Sequence, residues 1–392
     1  MAQIIPKNPT WHAAHTSYYE AMTNQTRRQH IVSNFYLREF ADERNQVWRV
    51  VLPGDKQHEV GTHNASVTKD FYTITLPDGT KSDFFEKYFS EIEADAASAL
   101  REIVHENKWP IRGGSREALA TWVALQHLRS EGVRNGQMQM QAQILKIIVG
   151  ASGKEALREL IQEAEKRSVG DFELDQEWAD ITKPTGPDLI PDAKSHLRSL
   201  FNLWEPTAQQ MIERTWTLFR FQRRSLITSD HPVSLAVGAD YPQYMGVGLA
   251  TTQGFVIPLS RRVGLIMREI NQDSSLELAL PGSTKMAKAF LRESIINARR
   301  FLYHHPTDTP LAGLILPEPQ TQEISPAGDD WVIEEGLFGH LAKDKEAGST
   351  LPRPPSNPFG SNAGWTIKDI TWPIPHRRSN VQPQPEGKRQ TD

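Results

Sequence analysis

Apolar residues recur along this chain with two different periods, and the change of period divides it. From Asp83 to Trp216 the spacing is mostly that of helices. Phe85, Phe89, Ile92 and Ala96 lie on one helical face, and Asp83 followed by Glu86 predicts a capping box at the start of a helix that ends before Pro110. Ser115 is the expected cap of the next helix, which runs through "REALATWVALQHLRSEGVRN" and resumes in "QMQMQAQILKIIV", with Gly132 and Gly136 as expected breaks. "GKEALRELIQEAEKR" reads as a charged amphipathic helix, and "AKSHLRSLFNLWEPTAQQMIERTW" as another interrupted at Pro206. Strand-like runs then take over in "WTLFRFQRRSLITSD", "PVSLAV", "GFVIPLS" and "RVGLIMREI", separated by Gly, Pro and Asp. One more helix, "TKMAKAFLRESIINARRFLYHH", closes the ordered part. Nearer the start, "QVWRVVL" alternates as a strand, Pro53-Gly54-Asp55 turns it toward Glu59, and Ser33 is placed to cap a helix from Asn34 to about Ala41. That helix buries Val32, Phe35, Tyr36 and Phe40.

Because the strand segments follow one another without intervening helices, they predict an antiparallel sheet. The fold class expected is α+β, a predominantly helical single domain with a mostly antiparallel β-sheet. Its limits are set at residues 21–310, after an N-terminal arm over 1–20. A C-terminal extension follows over 311–350, and then a tail over 351–392. That tail holds eight prolines among 42 residues, a composition that predicts disorder, although Trp365 and Trp372 offer anchors onto the body or a protein partner.

Composition narrows the class. The chain has 392 residues, 38% apolar and without cysteine, which excludes disulfide scaffolds, thiol nucleophiles and thiolate metal sites. No run reaches the roughly 18 apolar residues of a spanning helix, and "MAQIIPKNPTWHAAH" lacks the zones of a signal peptide. A cytoplasmic protein that does not enter membranes is expected. The net charge of -4 gives no global attraction to nucleic acid, but Arg27-Arg28, Arg223-Arg224, Arg261-Arg262 and Arg299-Arg300 are pairs that folding could gather into a patch.

Four stretches put polar groups where chemistry can use them. His30 precedes the first helix, where the positive end of the dipole favours a neutral ring suited to a metal ligand or general base. Asn34 and Arg38 share the next face. The rival reading is a hydrogen-bonded histidine that orders the chain's entry into that helix. Glu86 and Glu93, seven residues apart, project from nearly one helical face, as a shared divalent cation requires, yet the capping box explains Glu86 equally. In "TWVALQHLRSEGV" a helical wheel puts Gln126 and Arg129 in one sector with Leu119, Trp122 and Val133. A buried guanidinium needs an acidic partner or an anionic ligand. Finally, in "SLITSDHPVSL" the strand ends at Ser229 and Asp230, a position shared by catalytic loop residues and by ordinary Asx-turns.

"HIVSNFYLREFAD", "DFYTI", "FEKYFSEIEADAASALREI", "WVALQHLR", "LITSDHPV", "GFVIPLSRRVGLIM" and "INARRFLY" follow one another in an order and spacing that resemble the domain of unknown function 4238 family, from about His30 to Tyr303. Ser33 stands where that family usually has proline, and both residues suit a helix start. Some members look like single-gene antiphage defence proteins, so the resemblance implies a toxic effector. Joined to the residues above, it leads to the expectation of a metal-assisted hydrolase or nuclease. In that reading His30, Glu93 and Asp230 are catalytic, and His30, Glu86, Glu93 and Asp230 hold a magnesium or manganese ion. Asn34, Arg38, Gln126 and Arg129 bind a nucleic acid or nucleotide. No P-loop, Gly-rich dinucleotide motif, H-E-x-x-H or G-x-S-x-G occurs. The alternative is a non-enzymatic sensor or interaction protein in which the same polar groups lock the fold.

Overall fold

A computed structural model describes residues 28–69, 71–75, 81–82, 84–190, 193–237, 247–268, 277–320 and 367–378. The arm over residues 1–20, the cap at Asp83 and most of the tail expected over 351–392 lie outside the described residues. The fold is α+β, with more helix than strand and mostly antiparallel sheets. Among the described residues no helix is long and apolar enough to cross a membrane.

The chain divides into two compact units, residues 1–134 with 193–321, and residues 135–192 with 322–392. The first opens with β1 (Arg28–His30), α1 (Asn34–Arg38), the hairpin of β2 (Gln46–Val51) and β3 (Lys56–Gly61), and α2 (Thr62–Ala65). Short strands β4 (Val67–Lys69), β5 (Ile74–Thr75) and β6 (Lys81–Ser82) lead to two long helices, α3 (Phe84–Val104) and α4 (Gly113–Leu128). Next, α5 (Glu131–Ser152) starts in the first unit. Beyond Arg134 it belongs to the second unit with α6 (Lys154–Glu165) and α7 (Asp171–Thr182). The first unit resumes with α8 (Ala193–Glu213), β7 (Thr215–Arg220), β8 (Thr228–Ser229), β9 (Ser234–Ala236), β10 (Gly254–Ser260) and β11 (Val263–Arg268). It closes with β12 (Ala279–Pro281), α9 (Thr284–Asn297) and β13 (Phe301–His304).

A five-stranded sheet in the order β12-β7-β11-β10-β9 forms the centre of this unit, antiparallel except for the β12–β7 pair. The period of two sorts its side chains. Trp216 and Leu218 of β7, Phe255, Ile257 and Leu259 of β10, and Val263, Leu265 and Met267 of β11 join the large core that also holds Phe89, Trp122 and Trp204 from α3, α4 and α8. Phe219, Val256 and Ile266 point the other way, to Phe290 of α9. Burial on both faces explains why "GFVIPLS" is an unbroken buried run rather than an alternating one. A second sheet, in the order β3-β2-β13-β8, is antiparallel throughout.

Several local expectations are corrected. The helix break falls at Arg129 and Ser130, and α5 continues through Gly132 and Gly136, because the buried Arg129 and Ser130 take tertiary partners at the break. Pro206 lies inside α8 without ending it. Ser115 sits within α4 and donates to Glu102 Oε1 at 2.8 Å instead of capping. "FLYH" is a strand, β13, because Tyr303 and Leu302 are buried between β2 and β8.

The second unit has its own core, built from Ile148 and Val149 of α5, Leu157 and Ile161 of α6, Leu174 and Ile181 of α7, and Ile370 and Ile374. Those last two come from the segment expected to be disordered, of which residues 367–378 are packed here.

Candidate functional site

The opening stretch of the first unit enters a buried polar network. Ser33 occupies the N-cap position of α1, but its hydroxyl caps nothing there. It donates to Glu93 Oε1 at 2.9 Å and accepts from Trp122 Nε1 at 2.8 Å and Arg129 Nη2 at 2.5 Å. Gln126 is wholly buried; its Nε2 donates to the Ile31 carbonyl at 2.8 Å, and its Oε1 accepts from Arg129 Nη2 at 2.8 Å and the Ser33 backbone at 3.2 Å. Arg129, 1% exposed, pairs through Nη1 with Glu93 Oε1 at 2.8 Å. Burial works against its charge, and Glu93 together with Tyr72 and Glu86 outweighs that and raises its pKa above the ordinary value. Arg129 thus has the acidic partner that its place in an apolar stripe demands. These bonds join α1, α3 and α4 through Gln126 and Arg129, with Arg129 Nε left buried without a hydrogen-bond partner.

The other expected site residues lie apart from this network or face away from it. His30 in β1 approaches Glu86, Nδ1 to Oε1 at 3.6 Å, and its backbone N–H donates to the same oxygen at 3.4 Å. Asn34 is half-buried with Oδ1 unpartnered, and Arg38 is exposed. Asp230 accepts three backbone N–H groups, from Arg299 at 2.9 Å, Arg300 at 2.8 Å and Phe301 at 3.1 Å. Among the described residues, no three His, Asp or Glu side chains form a group that could hold a metal ion. Of the expected ligand set, His30 and Glu86 face each other, Glu93 is held by Arg129 and Ser33, and Asp230 is held by three backbone donors.

What Asp230 does join is a pocket of about 130 Å³ in the first unit. Ile31 of the loop after β1, Arg49 of β2, residues 65–68, Glu131 and Gly132 at the start of α5, and Arg299, Arg300 and Phe301 complete its wall. Two guanidinium groups lie over the same ring there, Arg49 at 5.1 Å and Arg300 at 4.9 Å from the Phe301 centroid. Arg49 reaches the Ala65 carbonyl and His58 Nε2. Among the described residues neither Arg49 nor Arg300 makes an ion pair with a carboxylate. Burial pushes the Asp230 carboxyl up to about 6, even against three N–H donors. Among the described residues, the arginine pair that reaches this wall is Arg299-Arg300.

Behind it lies a group that sequence reading overlooked. His127 and His231 stack at 5.5 Å between centroids, and His231 Nε2 meets Ser130 Oγ at 3.1 Å. Both histidines are buried, which lowers His127 to about 4 and His231 well below the usual range, so both rings are neutral. The signal was present, since His127 sits within the buried stripe of α4 and His231 follows Asp230 directly, but only the fold stacks them. The pocket's Arg49 and Glu131 likewise look like ordinary solvated charges in the sequence.

A family model described as "Protein of unknown function (DUF4238)" matches residues 28–308, and the chain belongs to that family. No curated protein and no solved structure matches it.

Proposed function

We propose that this DUF4238 protein recognises a phosphate-bearing ligand, a nucleotide or the backbone of a nucleic acid, in the pocket around Phe301. One observation carries the reading. Arg49 and Arg300 bring two guanidinium groups to a single ring, and although Asp230 and Glu131 share the pocket wall, neither arginine is ion-paired with a carboxylate among the described residues, which leaves both able to take an anion. The pocket, at about 130 Å³, is smaller than the roughly 300–1,000 Å³ of sites that engulf a whole small molecule. It suits a phosphate group whose remainder stays outside. Calorimetric titration with inorganic phosphate, nucleoside phosphates and short DNA and RNA tests this, and Arg300→Glu should weaken binding about 10- to 100-fold, as loss of a charge-assisted contact does. Equal affinity in wild type and variant defeats the proposal.

A hydrolytic form of the same reading, a nuclease or other phosphoester hydrolase serving antiphage defence, is favoured by Asp230. A carboxyl that titrates near 6 at the pocket wall can take a proton from an attacking water at neutral pH. A magnesium or manganese ion would then come with the phosphate ligand, since the described side chains do not assemble three ligands of their own. Turnover assays with both ions separate the two forms. In the hydrolase, Asp230→Asn abolishes turnover while phosphate binding persists. In a sensor, the parent protein binds and turns over nothing.

A further inference from the structure

The second unit holds a stretch of its own chain as a bound peptide is held. Residues 367–378, which follow α7 in the sequence only after residues 193–366, pack on α5, α6 and α7, and three kinds of contact fix them. Ile370 and Ile374 are buried among Ile148, Val149, Leu157, Ile161, Leu174 and Ile181. The Arg377 side chain, 4% exposed, pairs with Glu177 and with Asp180 Oδ2 at 2.7 Å. The main chain also pairs: Ile190 N donates to the His376 carbonyl at 2.6 Å, and Arg378 N donates to the Asp188 carbonyl at 2.8 Å, flanking an antiparallel bridge between Leu189 and Arg377. Trp372 Nε1 adds a hydrogen bond to Glu165 Oε1 at 2.9 Å. Apolar anchors, one buried arginine and a short edge pairing are the means by which extended peptides are recognised.

Charge runs the same way. The receiving surface presents Glu165, Glu177, Asp180 and Asp188, of which Asp180 and Asp188 are shared with Lys183 and Glu165 with Arg167, and the segment brings Lys368, Arg377 and Arg378 against one acid, Asp369. Burial by itself raises the Glu177 carboxyl, and Arg377 beside it opposes that rise. Removing Arg377 therefore leaves a buried acid without its counter-ion, a vacancy that another cationic side chain can fill.

We infer that the α5–α7 unit is a peptide-binding module whose resident ligand is residues 367–378, and that a basic-aliphatic peptide of the same pattern, two isoleucines four apart followed by an arginine, can take its place. The inference stands apart from the phosphate pocket, since no residue is shared. Covalent attachment gives the resident segment the advantage of an intramolecular ligand, so exchange requires a competitor in excess or a weakened resident.

The test uses the full chain. Arg377→Glu should release the segment, seen as rapid amide exchange over residues 367–378 with α3 and α4 unchanged. The released chain should then bind a labelled peptide spanning residues 366–379 saturably, at least tenfold tighter than wild type does. Adding Asp180→Arg to the groove should remove that binding. A second arm guards against a variant that fails to fold: a protease site inserted between residues 340 and 341 allows cleavage after folding. The C-terminal fragment should stay bound and be displaced by excess peptide. Full protection of residues 367–378 in Arg377→Glu, a free groove that ignores the peptide, or a cleaved fragment that dissociates at once or never exchanges would each overturn the inference.

Discussion

Arg129 keeps its guanidinium 1% exposed against Glu93, whereas Arg300 lays its own over Phe301 with no carboxylate partner among the described residues. The same side chain should therefore respond to substitution in opposite ways. Arg129→Met strands a carboxylate together with the Ser33 and Gln126 hydrogen bonds, and unfolding titrations should show a loss of about 3 to 5 kcal/mol. Arg300→Glu should change stability by no more than about 0.5 kcal/mol, with its effect confined to ligand binding. Protons provide a second contrast. His127 and His231 are depressed in the folded state, so their neutral burial is fully tolerated above the unfolded value near 6.5, and stability falls as pH drops from there toward about 4. Asp230 is raised, to about 6. Its contribution has the reverse sign, present below the unfolded value near 3.8 and lost as pH rises through 6. Melting temperatures between pH 7 and 4.5 should thus decline, and His127→Gln should flatten that decline. For a phosphodiester ligand, whose own charge is constant in this window, affinity should rise as pH falls through 6 and Asp230→Asn should make it level.

Helix ends and sheet faces show how far local rules extend. Ser283 does cap α9, accepting from Met286 N at 3.1 Å, and Ser283→Ala should cost about 1 kcal/mol, the usual worth of a cap. Ser33 occupies the same kind of position but spends its hydroxyl on Trp122, Arg129 and Glu93. Ser33→Ala should cost more, because it leaves buried donors unmatched. In β11, Gly264 lies under Phe290 of α9, and an added Cβ would stand 2.4 Å from the ring. Gly264→Ala forces that ring to move and should destabilise by roughly 1 to 3 kcal/mol, readable as a lowered denaturation midpoint at unchanged slope.

On the scale of the molecule, the two units have separate cores with no shared buried residue. Such cores can open independently. Ile374→Ala, which empties a buried position, should cost the second unit about 2 to 5 kcal/mol. Amide exchange should then accelerate across α6 and α7 while the helix around Trp122 keeps its protection. Equal acceleration in both units would show that they unfold as one.

The α+β class, the long helices and the antiparallel strands after Trp216 were legible in the sequence, because each depends on a period of apolar residues that local geometry imposes. Arg129's need for a buried counter-ion was legible too, since a charge inside an apolar stripe cannot stand alone. The tertiary structure decided the rest. It made Glu93 that partner and put Ser33 to work in the network instead of at a helix cap. It set three backbone donors on Asp230 and turned His30 toward Glu86. It stacked His127 on His231 and brought Arg49 and Arg300, 251 positions apart, to one ring. It also divided α5 between two units at Arg134 without any linker in the sequence, and drew residues 367–378 into a core their proline-rich surroundings did not suggest. The physical reason is common to all of these. A period constrains which face of an element is buried, but the partner across that face is chosen by contacts between segments remote in the chain, and no local pattern encodes them.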